Sequence, residues 1–238
     1  MGIASDEAPA GSSSVVLPSL PPEPWPFQSP VPGREAIAGS RATRYGRLTS
    51  SQCRGEVRKR GIPVLYVRGH ARGIATPLRL TGPLHGVRFL APGQSSAHGI
   101  LDCRLALALD DFAEILAHYD VDAVHVDNYY RDRAHLPGSR KPSQHAYGLA
   151  IDLTALELHD GRTLNVERDW DGAVGDAPCG PEAHPREPTD ETIVLRNIVC
   201  AVARAGVFHF MLTPDFNAAH HNHLHFDVER KPPGMGVR

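Results

Sequence analysis

Apolar residues return every third or fourth position from Cys103 to Tyr119, where Leu105, Leu109, Phe112, Leu116 and Tyr119 form one stripe. Ala106, Ala108 and Ala113 add helix propensity, so the spacing predicts an amphipathic helix with Asp110, Asp111 and Glu114 on its solvated side. A second helix is expected from Thr189 to Ala205. Thr189 or Asp190 can cap it, Ile193, Val194, Ile198 and Val202 supply its stripe, and Gly206 stands where helices commonly stop. Elsewhere the period falls to two. Leu149, Ile151 and Leu153 alternate with Ala150, Asp152 and Thr154, which marks a half-buried strand with Asp152 on the face away from the apolar residues. Near the C-terminus His223, His225 and Asp227 share one strand face while Leu224, Phe226 and Val228 share the other. Further strands are expected at Val64–Val67, Ala123–Asp127 and Val207–Leu212. Leu78, Leu80, Leu84, Val87 and Phe89, set among Gly82, Pro83 and Gly86, predict a short irregular hairpin.

The pattern dissolves before residue 49. Pro18, Pro21, Pro22, Pro24, Pro26, Pro30 and Pro32 punctuate Ser-, Gly- and Ala-rich sequence that cannot bury enough apolar surface to fold alone. Residues 1–48 are therefore expected to be an extended or disordered linker, with Trp25 and Phe27 as its means of pinning to the folded part. The domain is expected over 49–230, opening with helix-compatible residues around Ser51-Gln52-Cys53, and 231–238 is a short tail. A chain of 238 residues that is 41% apolar can build a real core. Its formal charge of -2, with no basic block, argues against nucleic acid and anionic membrane surfaces as partners. No apolar run approaches the roughly 20 residues that span a bilayer.

Residues Met1–Glu7 lack the basic-then-apolar order of a secretory signal, so either the protein stays inside or the chain is a mature form with a replacement start methionine. Cys53, Cys103, Cys179 and Cys200 are widely spaced. They fit two disulfides in any of three connectivities, or four buried thiols. His70, His85 and His98 have no partner at ligand spacing and read as surface histidines.

The candidate chemistry lies on the two alternating strands. Two imidazoles and a carboxylate on open strand faces suit a zinc ion with one position left for water. His145, Asp152 and one histidine of the His223/His225 pair would be the ligands. The other histidine, two residues away on the same face, is close enough to serve as general base. Upstream, Tyr130, Arg131 and Arg133 precede a turn-rich loop, Pro137–Pro142, that delivers the chain to His145; an arginine there could hold a substrate carboxylate or an oxyanion.

Ser143-x-His145-x-x-Gly148-x-Ala150-x-Asp152 followed by His223-x-His225-x-Asp227 resembles the zinc peptidase superfamily of lysostaphin-type enzymes, D-alanyl-D-alanine peptidases and the hedgehog signalling domain. Thr213-Pro214-Asp215-Phe216-Asn217-Ala218-Ala219-His220, running into His223–Asp227, is similar to the extensin-like C-terminal domain family. The similarity covers roughly residues 51 to 229. It implies an α+β fold: a central antiparallel sheet with helices on one side and a zinc cleft on the other. It also implies one Zn2+ per chain held by His145, Asp152 and His225, with His223 as catalytic histidine and His220, Asp227 and Ser143 supporting the ligands. Arg131 falls where such peptidases place an arginine. The family often has a cysteine just before it, where Tyr130 stands here, which leaves open whether Arg131 or Arg133 takes the role and implies a different disulfide pattern. Tyr130 and Arg133 are expected at the substrate. The implied activity is hydrolysis of peptidoglycan peptides in the periplasm or outside the cell. A zinc-stabilised module that binds cell-wall material or a protein without turnover is the alternative.

Overall fold

The computed structural model describes residues 25–68, 71–93, 95–230 and 234–238. The first part of the expected linker and the expected surface residue His70 lie outside these residues. Five α-helices are present in the described chain: α1 (Arg41–Gly46), α2 (Ser50–Arg60), α3 (Cys103–Ala117), α4 (Val166–Asp169) and α5 (Asp190–Ala205). The strands are β1 (Val64–Tyr66), β2 (Pro77–Leu80), β3 (Arg88–Leu90), β4 (Leu101–Asp102), β5 (Val121–Asn128), β6 (Ala150–Leu158), β7 (Thr163–Asn165), β8 (Phe210–Leu212), β9 (Leu224–Asp227) and β10 (Gly236–Val237).

The fold is α+β with mixed sheets. A seven-stranded sheet runs β10-β8-β9-β6-β5-β3, and β7 continues the β9 edge of β6. Its centre, β8-β9-β6-β5, is antiparallel as expected, but both ends are parallel: β3 runs with β5 and β10 with β8. Alternation along β6 and β9 sends Ile151, Leu153, Leu224 and Phe226 into the main core with Phe112 of α3 and Leu195, Ile198 and Val202 of α5. Phe112 meets Phe208 and Phe226 edge-on, with ring centroids 5.8 Å apart in each pair. Period two then directs Asp152 and His225, cross-strand partners, to the opposite face.

Both long helices form where their stripes place them, and their caps follow from the sequence. Thr189 accepts from Thr192 N at the start of α5, and Gly206 closes it at φ 61. Asp102 begins α3 by accepting from Arg104 N, and its other oxygen accepts from Ala75 N and Thr76 N, which ties β2 to the helix start. One expectation about α3 is overturned. Asp111 is buried rather than solvated, because Arg60 Nη1 donates to its Oδ1 at 2.8 Å and the Tyr45 hydroxyl donates to its Oδ2.

The expected hairpin across residues 78–89 does not form. Leu84 and Val87 close a tight local turn around His85 (φ 48) and Gly86 (φ 86), and this sends β3 to the edge of β5. Strand β2 pairs instead with β1 and β4 in a separate three-stranded sheet. Periodicity signalled strands here, and the partners were decided by that turn.

Residues 25–48 are arranged as short helical turns rather than extended chain. Phe27 is buried against Ala183 and the Cys179–Cys200 pair, and Tyr45 joins the main core. The cysteines form two disulfides, Cys53–Cys103 between α2 and α3, and Cys179–Cys200 between the 171–188 loop and α5. Among the described residues no helix is long and apolar enough to cross a membrane.

Candidate metal centre

The Ser143-to-Asp152 stretch builds a turn and then a strand. Ser143 Oγ accepts from His145 N at 3.3 Å and opens a 3-10 helix, Gln144–Tyr147. Gly148 ends it at φ 61, a conformation that glycine adopts without strain. A Cβ there would also be tight, 3.0 Å from Asp102 N and 2.9 Å from the end of the Ile74 side chain. The chain thus leaves the turn directly into β6, and the turn's buried His145 overhangs Asp152 on the strand.

Three ligand atoms converge. His145 Nε2 lies 3.0 Å from Asp152 Oδ1 and 3.0 Å from His225 Nδ1, and His225 Nδ1 lies 2.8 Å from Asp152 Oδ1. The other nitrogen of each imidazole has an acceptor of its own. His145 Nδ1 donates to the Tyr129 carbonyl at 3.1 Å, and His225 Nε2 faces Asp227 Oδ2 at 3.4 Å. These acceptors favour the proton on each outer nitrogen, so that in its neutral form each ring turns the lone pair of its inner nitrogen toward the carboxylate. Lone pairs from two nitrogens and one oxygen cannot share that space without a positive charge between them. A metal ion fits the donor set, and His145, Asp152 and His225 form a buried group that could hold one.

Protonation follows the same logic. Burial pushes the Asp152 carboxyl up, but the adjoining His145 and His225 more than reverse this and hold it well below the usual carboxylate range. Burial lowers His145 and keeps it neutral, as a ligand must be. For His225, burial acts downward, yet the hydrogen bonds to Asp152 and Asp227 lift it to about 9.

The remaining expected residues fall at different distances. His223 precedes β9 and is half-buried, with Nε2 3.9 Å from Asp152 Oδ1 and Nδ1 2.9 Å from Asn222 Oδ1. Burial lowers its pKa. His220 stacks beside it with ring centroids 5.1 Å apart, is positioned by Asn217 Oδ1 at 2.8 Å, and is lowered to about 4, mainly by burial. Arg131 reaches the other oxygen of Asp152, Nη2 to Oδ2 at 3.7 Å, and its backbone N donates to the His145 carbonyl at 3.1 Å. Arg133 is exposed and faces Asp132 at 3.8 Å, with no contact to the three ligands. Tyr130 is buried among Ala71, Ile74 and Ile100, and its hydroxyl donates to the Arg72 carbonyl and to Asp132.

Sequence reasoning missed Asn128, whose amide touches Asp152, and the Tyr129 carbonyl that orients His145. The polar Asp127-Asn128 pair closing an apolar strand was the signal for the first. A backbone carbonyl leaves none. It also missed how the histidine loop is held. Arg196 donates to the carbonyls of Trp170, Asp171 and Pro178 and lies 3.5 Å from Asp215, which in turn accepts from Trp170 Nε1 at 2.8 Å.

No curated protein and no solved structure matches the chain. A family model, described as extensin-like protein C-terminus, matches residues 51–237 and so takes in both strands of the centre and both disulfides. The protein belongs to the extensin-like protein C-terminus family.

Proposed function

We propose that the protein is a zinc-dependent peptidase of cell-wall peptides, acting as a carboxypeptidase or endopeptidase on peptidoglycan stems. The observation that carries the reading is the convergence of three lone-pair donors with an acceptor at the outer nitrogen of each imidazole, while a fourth side is flanked by His223 and Arg131. The superfamily resemblance of the Ser143–Asp152 and His223–Asp227 motifs supplies the substrate class.

A zinc ion held by His145, Asp152 and His225 would supply Lewis acidity and a water of lowered pKa. The chain's own residues supply the rest. His223, kept neutral at pH 7 by burial, is in a state to accept a proton and hand it to the leaving amine. Arg131 is half-exposed, so its guanidinium can turn from Asp152 toward a substrate carboxylate or the oxyanion of the scissile carbonyl. Asp227 and the Tyr129 carbonyl hold the two ligand imidazoles in register throughout. Two disulfides support a location in an oxidising compartment, periplasmic or outside the cell.

The test is digestion of purified peptidoglycan by the zinc-loaded protein, with and without chelator. New peptide fragments that vanish on chelation and return with zinc are expected. Stoichiometric zinc without fragments would reassign the centre to a non-catalytic binding module.

A further inference from the structure

We infer that Asn128 is a positioning residue for the metal centre: its side-chain amide engages one oxygen of Asp152, so that only Oδ1 is presented to the cation. This rests on the metal centre proposed above and is independent of the peptidase reaction.

Asn128 ends β5, is 2% exposed and is the cross-strand partner of Asp152. The β5–β6 ladder slips between Val126 and Asn128, and that irregularity brings the amide opposite the carboxylate. Asn128 Nδ2 donates to Asp152 Oδ2 at 3.2 Å and to Asp127 Oδ2 at 2.7 Å. The two carboxylates dictate the orientation of the amide, because the reversed group would turn its oxygen toward both. Its own Oδ1 is buried and has no partner among the described residues. A residue that merely filled space would not leave a buried polar atom unpaired, so the donor contacts account for asparagine at this position.

The division of work between the two oxygens of Asp152 is then complete. Oδ2 has Asn128, with Arg131 at 3.7 Å. Oδ1 has both imidazole nitrogens, at 3.0 and 2.8 Å. A carboxylate free to rotate could offer both oxygens to one ion, whereas this one is restrained to a single donor.

The experiment uses the full, oxidised chain, with Zn2+ and Co2+ as probes. Asn128→Leu keeps the side-chain size and removes the donor. Zinc affinity, read by competition with a chromophoric chelator, should fall about 10- to 100-fold. The visible bands of the Co2+-loaded variant should shift as Asp152 gains a second bond to the ion, a change that a purely structural role for Asn128 would not produce. Affinity within about twofold of wild type with unchanged bands would overturn the inference.

Should Asn128→Leu fail to fold, the wild-type protein decides by NMR. The Asn128 side-chain amide protons should exchange with solvent far more slowly than those of the exposed Asn222, and equal exchange rates would refute the assignment. A wild type that takes up neither ion defeats the metal reading and this inference together. An unchanged variant of a metal-binding wild type defeats the inference alone.

Discussion

At the scale of single residues, the proposed function divides the centre into groups that would hold an ion and groups that would act beside it, and substitution separates them. His145→Ala or Asp152→Asn removes a ligand atom from the buried triad, so bound zinc, measured by elemental analysis, should drop from one equivalent per chain to near zero. His223→Ala should keep that equivalent while hydrolysis of muropeptides falls about 10²- to 10⁴-fold, the usual contribution of a placed acid–base group. Titration gives a second residue-scale expectation. His209 is wholly buried, accepts from Glu229 N at 2.8 Å and faces the Thr43 hydroxyl at 3.1 Å; burial lowers its pKa to about 4. The unfolded imidazole binds a proton near pH 6.5 and the folded one only near pH 4, so the contribution is full above 6.5 and is lost as pH falls between these values. Urea midpoints followed from pH 7 to 4 should decline more steeply for wild type than for His209→Gln, by up to about 3 kcal/mol.

Among elements, the contacts that matter most join helices to each other and to the sheet. Arg60 of α2 and Asp111 of α3 are joined at 2.8 Å beneath Tyr45 of α1, so one carboxylate links three helices. Asp111→Ala should leave Arg60 paired with Asp110 alone and the Tyr45 hydroxyl without its acceptor, destabilising the fold by about 1–2 kcal/mol, read from denaturant midpoints. That link also marks how far periodicity could be read. The stripe of α3 placed its apolar residues correctly, but nothing in a helical repeat tells a solvated aspartate from one that a distant arginine will cover. The strands β6 and β9 were legible because alternation is a local property of one strand. Their neighbours were less so: β3 and β10 are two or three residues long, and their parallel pairing with β5 and β8 depends on connections that carry no periodic signal. The centre was legible to the extent that its ligands are side chains in a spaced motif. Asn128 escaped because a strand irregularity, not a spacing, brings it to Asp152.

For the whole molecule, the two disulfides close segments of 50 and 21 residues, and their loss should cost about 4 and 3 kcal/mol through the freedom regained by the unfolded chain. Reduction should therefore lower the denaturation midpoint in two separable steps in single-pair Cys→Ser variants. The three ligands come from a turn, the strand that follows it and a strand over 70 residues later, and they meet only once β6 and β9 have paired. The segment His220-His221-Asn222-His223-Leu224-His225 already groups four imidazoles in the unpaired chain, but the Asp152 oxygen and the buried His145 join His225 only in the paired sheet. On the proposed reading, the complete donor set for an ion exists only once the sheet has formed. The folded, oxidised protein should hold zinc more tightly than the denatured, still oxidised chain, whose 220–225 segment keeps only its imidazoles, and competition with a chelator reads the difference.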